Sequence, residues 1–262
     1  MNQHLPIIVS LTSTQSKLER ASDTIMSLLT QSLKADQIIL WLSKDSNALD
    51  EGVKTLPDSI KSLEKKGLII KWTKNIGPYK KLIPTVKMMN RENFLIVTAA
   101  DDIVYPQDWL KGLVNAYQKN EGCVICYHGK VMDKASPVRK WLKGKKLKSF
   151  SKWIKTSEVS NLATLGNEKE IFPDGTGGVL YPSERLHEEI FNKSVYLRMA
   201  PKHEDVWFKA MTLLTDTKVH CVDSETGLPL IKSQQLSGIS NYFQRRKEDR
   251  LVQEVLERYS LI

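Results

Sequence analysis

The sequence has little cysteine and no long apolar run. Three cysteines, Cys123, Cys126 and Cys221, occur in 262 residues, which is too few for the disulfide framework of a small secreted domain. Cys123 and Cys126 have the spacing of half a zinc site, but no second such pair exists, so we interpret them as thiols in a buried strand. No apolar run approaches the ~18 residues of a transmembrane helix. The first residues also lack the basic and apolar regions of a secretory signal peptide, so we expect a cytoplasmic protein.

The composition is that of a soluble globular protein with an excess of positive charge. Hydrophobic residues make up 41% of the chain and charged residues 26%, and 39 Lys+Arg against 30 Asp+Glu give a net charge of +9. This excess indicates an anionic partner, either phosphates, acidic lipid or nucleic acid. No recognised nucleic-acid-binding motif accompanies the charge, so we expect no specific nucleic acid as a partner.

Apolar runs alternate with segments of helical periodicity in the first half of the chain. The pattern predicts strands at 6–12, 37–42, 67–72 and 94–98, separated by helices at 17–31, 53–66 and 79–90. Further helices are predicted at 109–119, 203–214 and 245–259, with a strand at 122–128. Such alternation predicts an α/β, Rossmann-like fold, with a mostly parallel central sheet flanked by helices. Ligands of these sheets bind beyond the carboxyl ends of the strands.

Two adjacent carboxylates, Asp101 and Asp102, follow the fourth predicted strand. Holding two like charges together requires a cation nearby, and a hard divalent cation that also binds nucleotide phosphates meets this need. The alternative is a solvated loop in which Asp102 caps a turn. The doublet alone leaves both interpretations open.

Six sequence blocks place the doublet in a wider context. They read IIVSLTS (7–13), SLLTQSLKADQIILWLS (27–43), GPYKKLIP (77–84), FLIVTAADDIVYPQDWL (94–110), GTGGVLYP (175–182) and HEDVWFKAM (203–211). Together and in this order they resemble the GT-A-fold glycosyltransferases of bacterial polysaccharide and lipopolysaccharide synthesis, a family-2-like group. The resemblance implies one GT-A domain over 1–262, with a nucleotide-sugar-binding half (1–120), an acceptor-side half (121–240) and a C-terminal helix (241–262). It implies transfer of a sugar from a nucleotide-diphosphate sugar, expected to be a UDP-sugar, to a saccharide hydroxyl.

The chain departs from this family at Ala100. The family strand usually ends in three acidic residues, and Ala100 replaces the first carboxylate of the Asp-x-Asp motif. The resemblance then implies that Asp102 is the direct ligand of Mn²⁺ or Mg²⁺, while Asp101 lies near the ribose or the metal's water shell. Loss of one supporting carboxylate could lower metal affinity or activity roughly 10- to 100-fold. An engineered substitution, an enzyme with weaker metal dependence and a non-catalytic homologue all remain open.

The acidic pair Glu204 and Asp205 is the candidate for acid–base chemistry. Inverting glycosyl transfer needs a base for the attacking hydroxyl, and the family places it at the start of such a helix. We expect Asp205 to be the base and keep Glu204 as the alternative. If the configuration is retained, Asp205 would instead orient the acceptor or stabilise the transition state. An acidic pair is also favoured at a helix N-terminus for purely structural reasons.

The same resemblance implies further substrate contacts. The nucleotide's base and ribose would lie at Thr12 and Ser13, and the donor diphosphate near Tyr79 and Lys80 or Lys81. The donor sugar and the acceptor would lie over the glycine-rich turn that contains Gly177 and Gly178, with Asp174 bonded to a sugar hydroxyl. The structural alternatives are an ordinary helix start at 79–81 and a tight turn at 175–178. A third metal ligand could come from His128, His203 or His220.

Residues 130–155 are basic with interleaved aromatic residues. They form either a solvated loop or a lid that contacts an anionic membrane surface, because lysine near such a surface gains about 1 kcal/mol and tryptophan prefers the interface. A lipid-linked saccharide acceptor would explain this second alternative, with the protein peripheral on the inner face of the cytoplasmic membrane.

Two rival functions remain open from the sequence. A GT-A-like protein that has lost catalysis would bind nucleotide-sugar or polyanion without turnover, and Ala100 favours this reading. A nucleotidyltransferase also uses paired aspartates, but it would release pyrophosphate instead of a nucleoside diphosphate.

Overall fold

A computed structural model of the chain describes residues 5–47, 50–89, 93–132, 147, 152–156, 168–222, 231–232 and 242–261. Its strands are β1 (Ile7–Thr12), β2 (Gln37–Leu42), β3 (Leu68–Trp72), β4 (Leu95–Thr98), β5 (Ile103–Val104), β6 (Val124–Cys126), β7 (Gly129–Val131), β8 (Ile171–Pro173), β9 (Val179–Pro182), β10 (Val219–Cys221) and β11 (Ile231–Lys232). Seven of them form the central sheet in the order β10-β6-β9-β4-β1-β2-β3. The remaining strands form two small antiparallel pairs, β5 with β11 and β7 with β8.

The central sheet is parallel except at β9. Strand β1 pairs in parallel with β2 and β4, β2 with β3, and β6 with β10, whereas β9 runs antiparallel between β4 and β6. The predicted α/β class with a mostly parallel sheet is therefore confirmed. Since β9 runs the other way, its amino end lies at the same edge of the sheet as the carboxyl ends of its neighbours, with Val179 opposite Thr98.

Helices cover both faces of this sheet. They are α1 (Leu18–Leu29), α2 (Asp58–Glu64), α3 (Ile83–Met88), α4 (Trp109–Lys119), α5 (Lys193–Met199), α6 (Glu204–Leu214) and α7 (Tyr242–Arg258). Alternate residues of β1 enter different cores: Val9 packs with α1, α2 and α4, and Ile8 packs with α3, α5, α6 and α7. Burial on both faces explains why the strands read as continuous apolar runs. Among the described helices, none combines the length and apolarity needed to cross a bilayer.

Proline sets two of the helix boundaries at which the structure differs from the sequence prediction. The helix expected at 53–66 begins only at Asp58, with Pro57 as its N-cap in an extended conformation. The helix expected at 79–90 is divided into a 3₁₀ turn, Gly77–Lys81, and the short helix α3. Pro84 lacks an amide hydrogen and cannot donate to the carbonyl one turn earlier, so the α-helix starts anew beside it.

A buried polar junction holds α3 against the sheet. The hydroxyls of Ser10 and Thr85 are 2.8 Å apart, and the indole Nε1 of Trp41 donates to Thr85 Oγ1 at 2.7 Å. Because buried polar groups are costly unless paired, this junction fixes the depth at which α3 lies over β1 and β2. It thereby positions the preceding 3₁₀ turn, which carries two of the predicted site lysines.

Lys209 of α6 is a buried lysine on the same face. Only 1% of it is exposed, and its Nζ donates to the backbone carbonyl of Lys169 at 2.7 Å. Burial lowers the pKa of Lys209 to about 7, although nearby Cys126 acts in the opposite direction. Between pH 7 and about 10 the unfolded chain therefore binds a proton at this position that the folded chain does not bind, and stability falls as the pH is lowered.

We predict that Lys209→Met removes this pH dependence. The variant's stability relative to the parent should increase by roughly 3 kcal/mol between pH 9 and pH 7, since each unit of pKa difference is worth about 1.4 kcal/mol. Denaturant unfolding at pH 7, 8 and 9 measures the difference, and Lys193→Met, at an exposed position, is the matched control. A constant difference between parent and Lys209→Met across this range would contradict the prediction.

Candidate functional site

A cleft of about 400 Å³ opens at the carboxyl edge of the sheet. Seven of the predicted site residues line it: Thr12, Ser13, Lys80, Lys81, Asp101, Asp102 and Glu204. The other five predicted residues, Tyr79, Asp174, Gly177, Gly178 and Asp205, lie outside its lining. The parallel arrangement explains the convergence, because β1 and β4 are neighbours whose ends meet at one edge.

Asp101 is held by contacts from the loop between β1 and α1. Its Oδ2 accepts a hydrogen bond from Ser13 Oγ at 2.7 Å, and its Oδ1 lies 3.2 Å from Lys17 Nζ. The same ammonium group is 4.0 Å from Asp102 Oδ2. The Asp102 side chain is 53% exposed and that of Asp101 only 12%. Lys17 therefore supplies the positive charge that keeps the two carboxylates together.

The backbone at Ala100 is anchored even though its side chain offers no carboxylate. Its amide donates to the hydroxyl of Tyr105 at 2.8 Å, and this hydroxyl donates to the Thr176 carbonyl at 3.4 Å. Burial raises the pKa of Tyr105 well above its usual value, so the phenol stays protonated. Tyr105 thus connects the acidic doublet to the glycine-rich turn.

An ion pair joins the 3₁₀ turn to the start of α6. Lys81 Nζ lies 2.5 Å from Glu204 Oε1, and both side chains are largely buried. Burial disfavours the charge on Lys81, but the carboxylates of Glu204 and Asp205 outweigh this effect and raise the pKa of Lys81. The lysine therefore remains charged while it lines the cleft.

Asp205 faces the glycine-rich turn. Its Oδ2 accepts a hydrogen bond from the Gly175 amide at 3.3 Å. Burial, opposed by Lys81 and reinforced by Glu204 and Asp174, raises the pKa of Asp205 to about 7. A carboxyl group with this pKa can both accept and release a proton near neutral pH. Asp205 is thus suited to acid–base chemistry, although Glu204 is the member of the pair that lines the cleft.

The glycine-rich turn is built around its protein neighbours. Asp174 Oδ1 accepts hydrogen bonds from the amide and hydroxyl of Thr176, at 3.0 and 2.7 Å. Trp109 Nε1 donates to the Gly177 carbonyl at 2.8 Å. Gly178 has a φ of +84°, and a Cβ at this position would lie 2.4 Å from the Trp109 ring. The missing side chain at Gly178 therefore makes room for this tryptophan.

The two remaining residues of the 3₁₀ turn have internal partners. Lys80 is 2% exposed, and its Nζ lies 2.8 Å from Ser43 Oγ and 3.4 Å from Asp50 Oδ2. Burial lowers the pKa of Lys80, and Asp50 opposes the shift. Tyr79 is fully buried, with its hydroxyl donating to the Ala200 carbonyl at 2.5 Å. Among the three predicted diphosphate contacts, Lys81 differs from Tyr79 and Lys80. It lines the cleft, it is paired with Glu204, and its charge acts on Asp205.

Two lysines that the sequence interpretation did not name also line the cleft, Lys17 and Lys202. Lys17 could have been recognised, because it follows the first strand by a few residues and so must lie near the sheet edge. Lys202 carries no such signal, since it precedes α6 and reaches the cleft only through the folding of the second half. Lys202 is exposed and forms no ion pair among the described residues.

The acidic doublet offers a small set of donors for a metal ion. Among the described residues, no group of three or more histidine, cysteine, aspartate or glutamate side chains is placed to hold one. The Asp102 carboxylate is the more exposed of the two, and each oxygen of Asp101 has a protein partner. Mg²⁺ usually takes only one or two protein carboxylates, completed by water and phosphate oxygens. These carboxylates can bind such a cation only if Lys17 moves away from Asp101 Oδ1 and leaves that oxygen to the metal.

Most of the basic segment 130–155 lies outside the described residues, including 133–146 and 148–151. Within the described part, Trp153 is 5% exposed and its ring centroid is 5.8 Å from that of Phe172. This tryptophan, one of three aromatic residues in the segment, therefore belongs to the core, while Trp141 and Phe150 lie outside the described residues. Lys152 and Lys155 are exposed.

The fold and the cleft define a mixed α/β protein with a polar site at the carboxyl edge of its sheet. No protein-family model matches the sequence, and no curated protein matches it either. Among solved structures, the chain is similar to the crystal structure of 4-diphosphocytidyl-2C-methyl-D-erythritol synthase, with a TM-score of 0.48 and 9% sequence identity. The match covers 94% of this chain and 100% of that one. A likeness this distant carries no conclusion about function.

We predict that Gly178→Ala destabilises the protein more than Gly67→Ala. Both glycines have positive φ, but a Cβ at Gly67 would meet its nearest neighbour at 3.7 Å, whereas one at Gly178 would collide with Trp109. Positive φ should cost roughly 1 kcal/mol at Gly67. Gly178, with φ 84° and ψ 142°, lies close to a region occupied essentially by glycine alone, so its backbone penalty should be roughly 1–3 kcal/mol, and overpacking should add roughly 1–3 kcal/mol there. Denaturant unfolding measures both changes. Equal losses would show that the turn can move away from Trp109 without cost.

Proposed function

We propose that the protein is a glycosyltransferase that moves a sugar, of the hexosyl type, from a nucleotide-diphosphate sugar to a saccharide hydroxyl. The observation that carries the proposal is the meeting, around one polar cleft, of the Asp101–Asp102 doublet and the Lys81–Glu204 pair, with Asp205 adjacent. A diphosphate requires positive charge, and a hydroxyl nucleophile requires a base. These groups offer both within one edge of the sheet. The acceptor would be a saccharide, either free or linked to a lipid, and the donor a UDP-sugar.

In this proposal Asp205 is the base. Its carboxylate takes the proton of the acceptor hydroxyl as the acceptor oxygen bonds to the sugar's anomeric carbon. The bond from that carbon to the diphosphate oxygen breaks, and the electron pair leaves with the nucleoside diphosphate. The proton then passes from Asp205 to solvent. Glu204 is the weaker candidate, because it would first have to give up its ion pair with Lys81.

The leaving diphosphate would be held by lysine side chains. Lys81 and Lys202 line the cleft as cations, and Lys17 is close enough to exchange its carboxylate contact for a phosphate oxygen. Mn²⁺ or Mg²⁺ is the cofactor of the proposal, with Asp102 and one oxygen of Asp101 as its protein ligands. When bound, such a cation supplies Lewis-acid stabilisation of the diphosphate. Thr12 and Ser13, at the end of β1, would contact the nucleoside.

The pH profile tests the role of Asp205. The base must be ionised, so kcat/KM should fall about tenfold for each pH unit below about 7, and Asp205→Asn should lose at least 100-fold in rate. Lys81 opposes the raised pKa of Asp205, so Lys81→Met should move the acidic limb to higher pH. Lys202→Met is the matched control, expected to alter the rate without moving the limb. An unshifted profile in Asp205→Asn would exclude Asp205 as the base.

Restoring the family carboxylate tests the metal site. We expect Ala100→Asp to raise Mn²⁺ affinity about 10- to 100-fold, measured by calorimetry in the absence of donor, while the neutral Ala100→Asn should not. Both forms and the parent chain are then given a panel of nucleotide-sugars with saccharide acceptors.

The product of this assay separates the candidate functions. Release of a nucleoside diphosphate supports glycosyl transfer. Release of pyrophosphate from a nucleoside triphosphate would instead indicate a nucleotidyltransferase and contradict the proposal. Stabilisation by a donor without turnover in any variant would indicate a binding protein. If no nucleotide-sugar raises the melting temperature of either the parent or Ala100→Asp, the proposal fails.

A further inference from the structure

A second cavity, of about 610 Å³, lies on the other side of the 3₁₀ turn and α3 from the cleft. It is bounded by the carboxyl ends of β2 and β3, by α3, and by the start of α5. Its floor is apolar, formed by Trp41, Ile76, Ile83, Pro84, Met88 and Tyr196. None of these side chains belongs to the site of the proposed reaction.

The rim of this cavity carries charge of one sign. Lys74, Lys87 and Lys193 line it, and no acidic side chain does. All three lysines are exposed, and none forms an ion pair within the described part of the chain. The acidic residues next to α5 in the chain, Glu188 and Glu189, are not part of the lining. Uncompensated ammonium groups over an apolar floor match a ligand with an anionic head and an apolar body.

Two aromatic residues strengthen this reading. Phe191 lines the cavity and is 44% exposed, one of three large hydrophobic side chains that are exposed among the described residues. Tyr196, at 2% exposure, also lines the cavity, and its hydroxyl forms no hydrogen bond among these residues. The hydroxyl oxygen itself keeps some solvent exposure, because it is not among the fully buried side-chain atoms that lack a partner, so a ligand in the cavity can reach it. An exposed aromatic ring beside lysines is typical of surfaces that meet the lipid headgroup region.

We propose that this cavity binds the headgroup and the upper acyl chain of an anionic phospholipid, and that the α3–α5 face docks on a membrane surface. The three lysines contact the lipid phosphate and its neighbours, and Phe191 enters the interface. The cavity fits a phosphate group joined to an acyl chain better than free phosphate. Its charged residues lie only at the rim, and its floor is apolar. The proposal does not depend on glycosyl transfer, since vesicle binding can be measured without turnover.

Vesicle co-sedimentation tests the proposal. The full chain should bind phosphatidylcholine vesicles that contain one-quarter phosphatidylglycerol, and it should not bind pure phosphatidylcholine. Lys87→Gln combined with Lys193→Gln should weaken the partition about 20- to 30-fold, at about fivefold for each lysine. Phe191→Ala should weaken it several-fold without a change in net charge. Melting temperatures establish that each variant is folded.

The matched control is Lys65→Gln combined with Lys111→Gln, which removes the same charge from two exposed positions on the opposite face of the sheet. This control should bind as the parent does. An equal loss in the control would show general attraction by net charge and overturn the site. Binding that is abolished by Lys143→Gln with Lys145→Gln, but unchanged by the cavity pair, would assign membrane contact to the basic segment instead. Absence of any binding to the acidic vesicles would also overturn it.

Discussion

The ion pair between Lys81 and Glu204 joins the two halves of the chain on which the candidate site depends. Lys81 follows β3 on the parallel side of the sheet, and Glu204 begins α6 in the second half. The pair keeps a positive charge at the cleft and sets the local field for Asp205, whose pKa is raised by burial and held back by Lys81. Without this pairing, the carboxylates of Glu204 and Asp205 would adjoin at the start of α6, with Asp174 adding to their repulsion and without the charge of Lys81 to offset it.

The cleft follows a general rule of charge compensation at a crowded sheet edge. The ammonium groups of Lys17, Lys80 and Lys81 each lie near a carboxylate, Asp101, Asp50 and Glu204 respectively. The Lys80–Asp50 and Lys81–Glu204 pairs are largely buried and are therefore costly to desolvate, whereas Lys17 is half-exposed. In this protein the pairing holds loops from separate strands around one space. The compensating lysines are also the groups that an anionic substrate would meet.

Antiparallel β9 brings the glycine-rich turn to the edge of the sheet at which the cleft opens. A parallel strand at this position would carry the glycine-rich turn to the opposite edge of the sheet. Because β9 runs the other way, the turn lies against Trp109, Tyr105 and Asp205. Hydrogen bonds therefore connect the turn to Asp205 of α6 and, through Tyr105, to Ala100 beside the acidic doublet. A displacement of the turn should shift both.

The sequence by itself determined the class of fold, the order and approximate bounds of the first strands, and the side chains available for chemistry. These properties depend on local periodicity and on the rule that the carboxyl ends of parallel strands lie at one edge of the sheet. Ser13 follows β1 and Asp101 follows β4, so the sequence predicts that they lie at the same edge. Only the tertiary structure decided the partners. It directed Tyr79 into the core, placed Trp153 against Phe172, brought Lys17 to the acidic doublet and left Asp205 facing a backbone amide. The physical reason is that such contacts join residues far apart in the chain, and burial and pairing of charge depend on the whole fold, which no local pattern encodes.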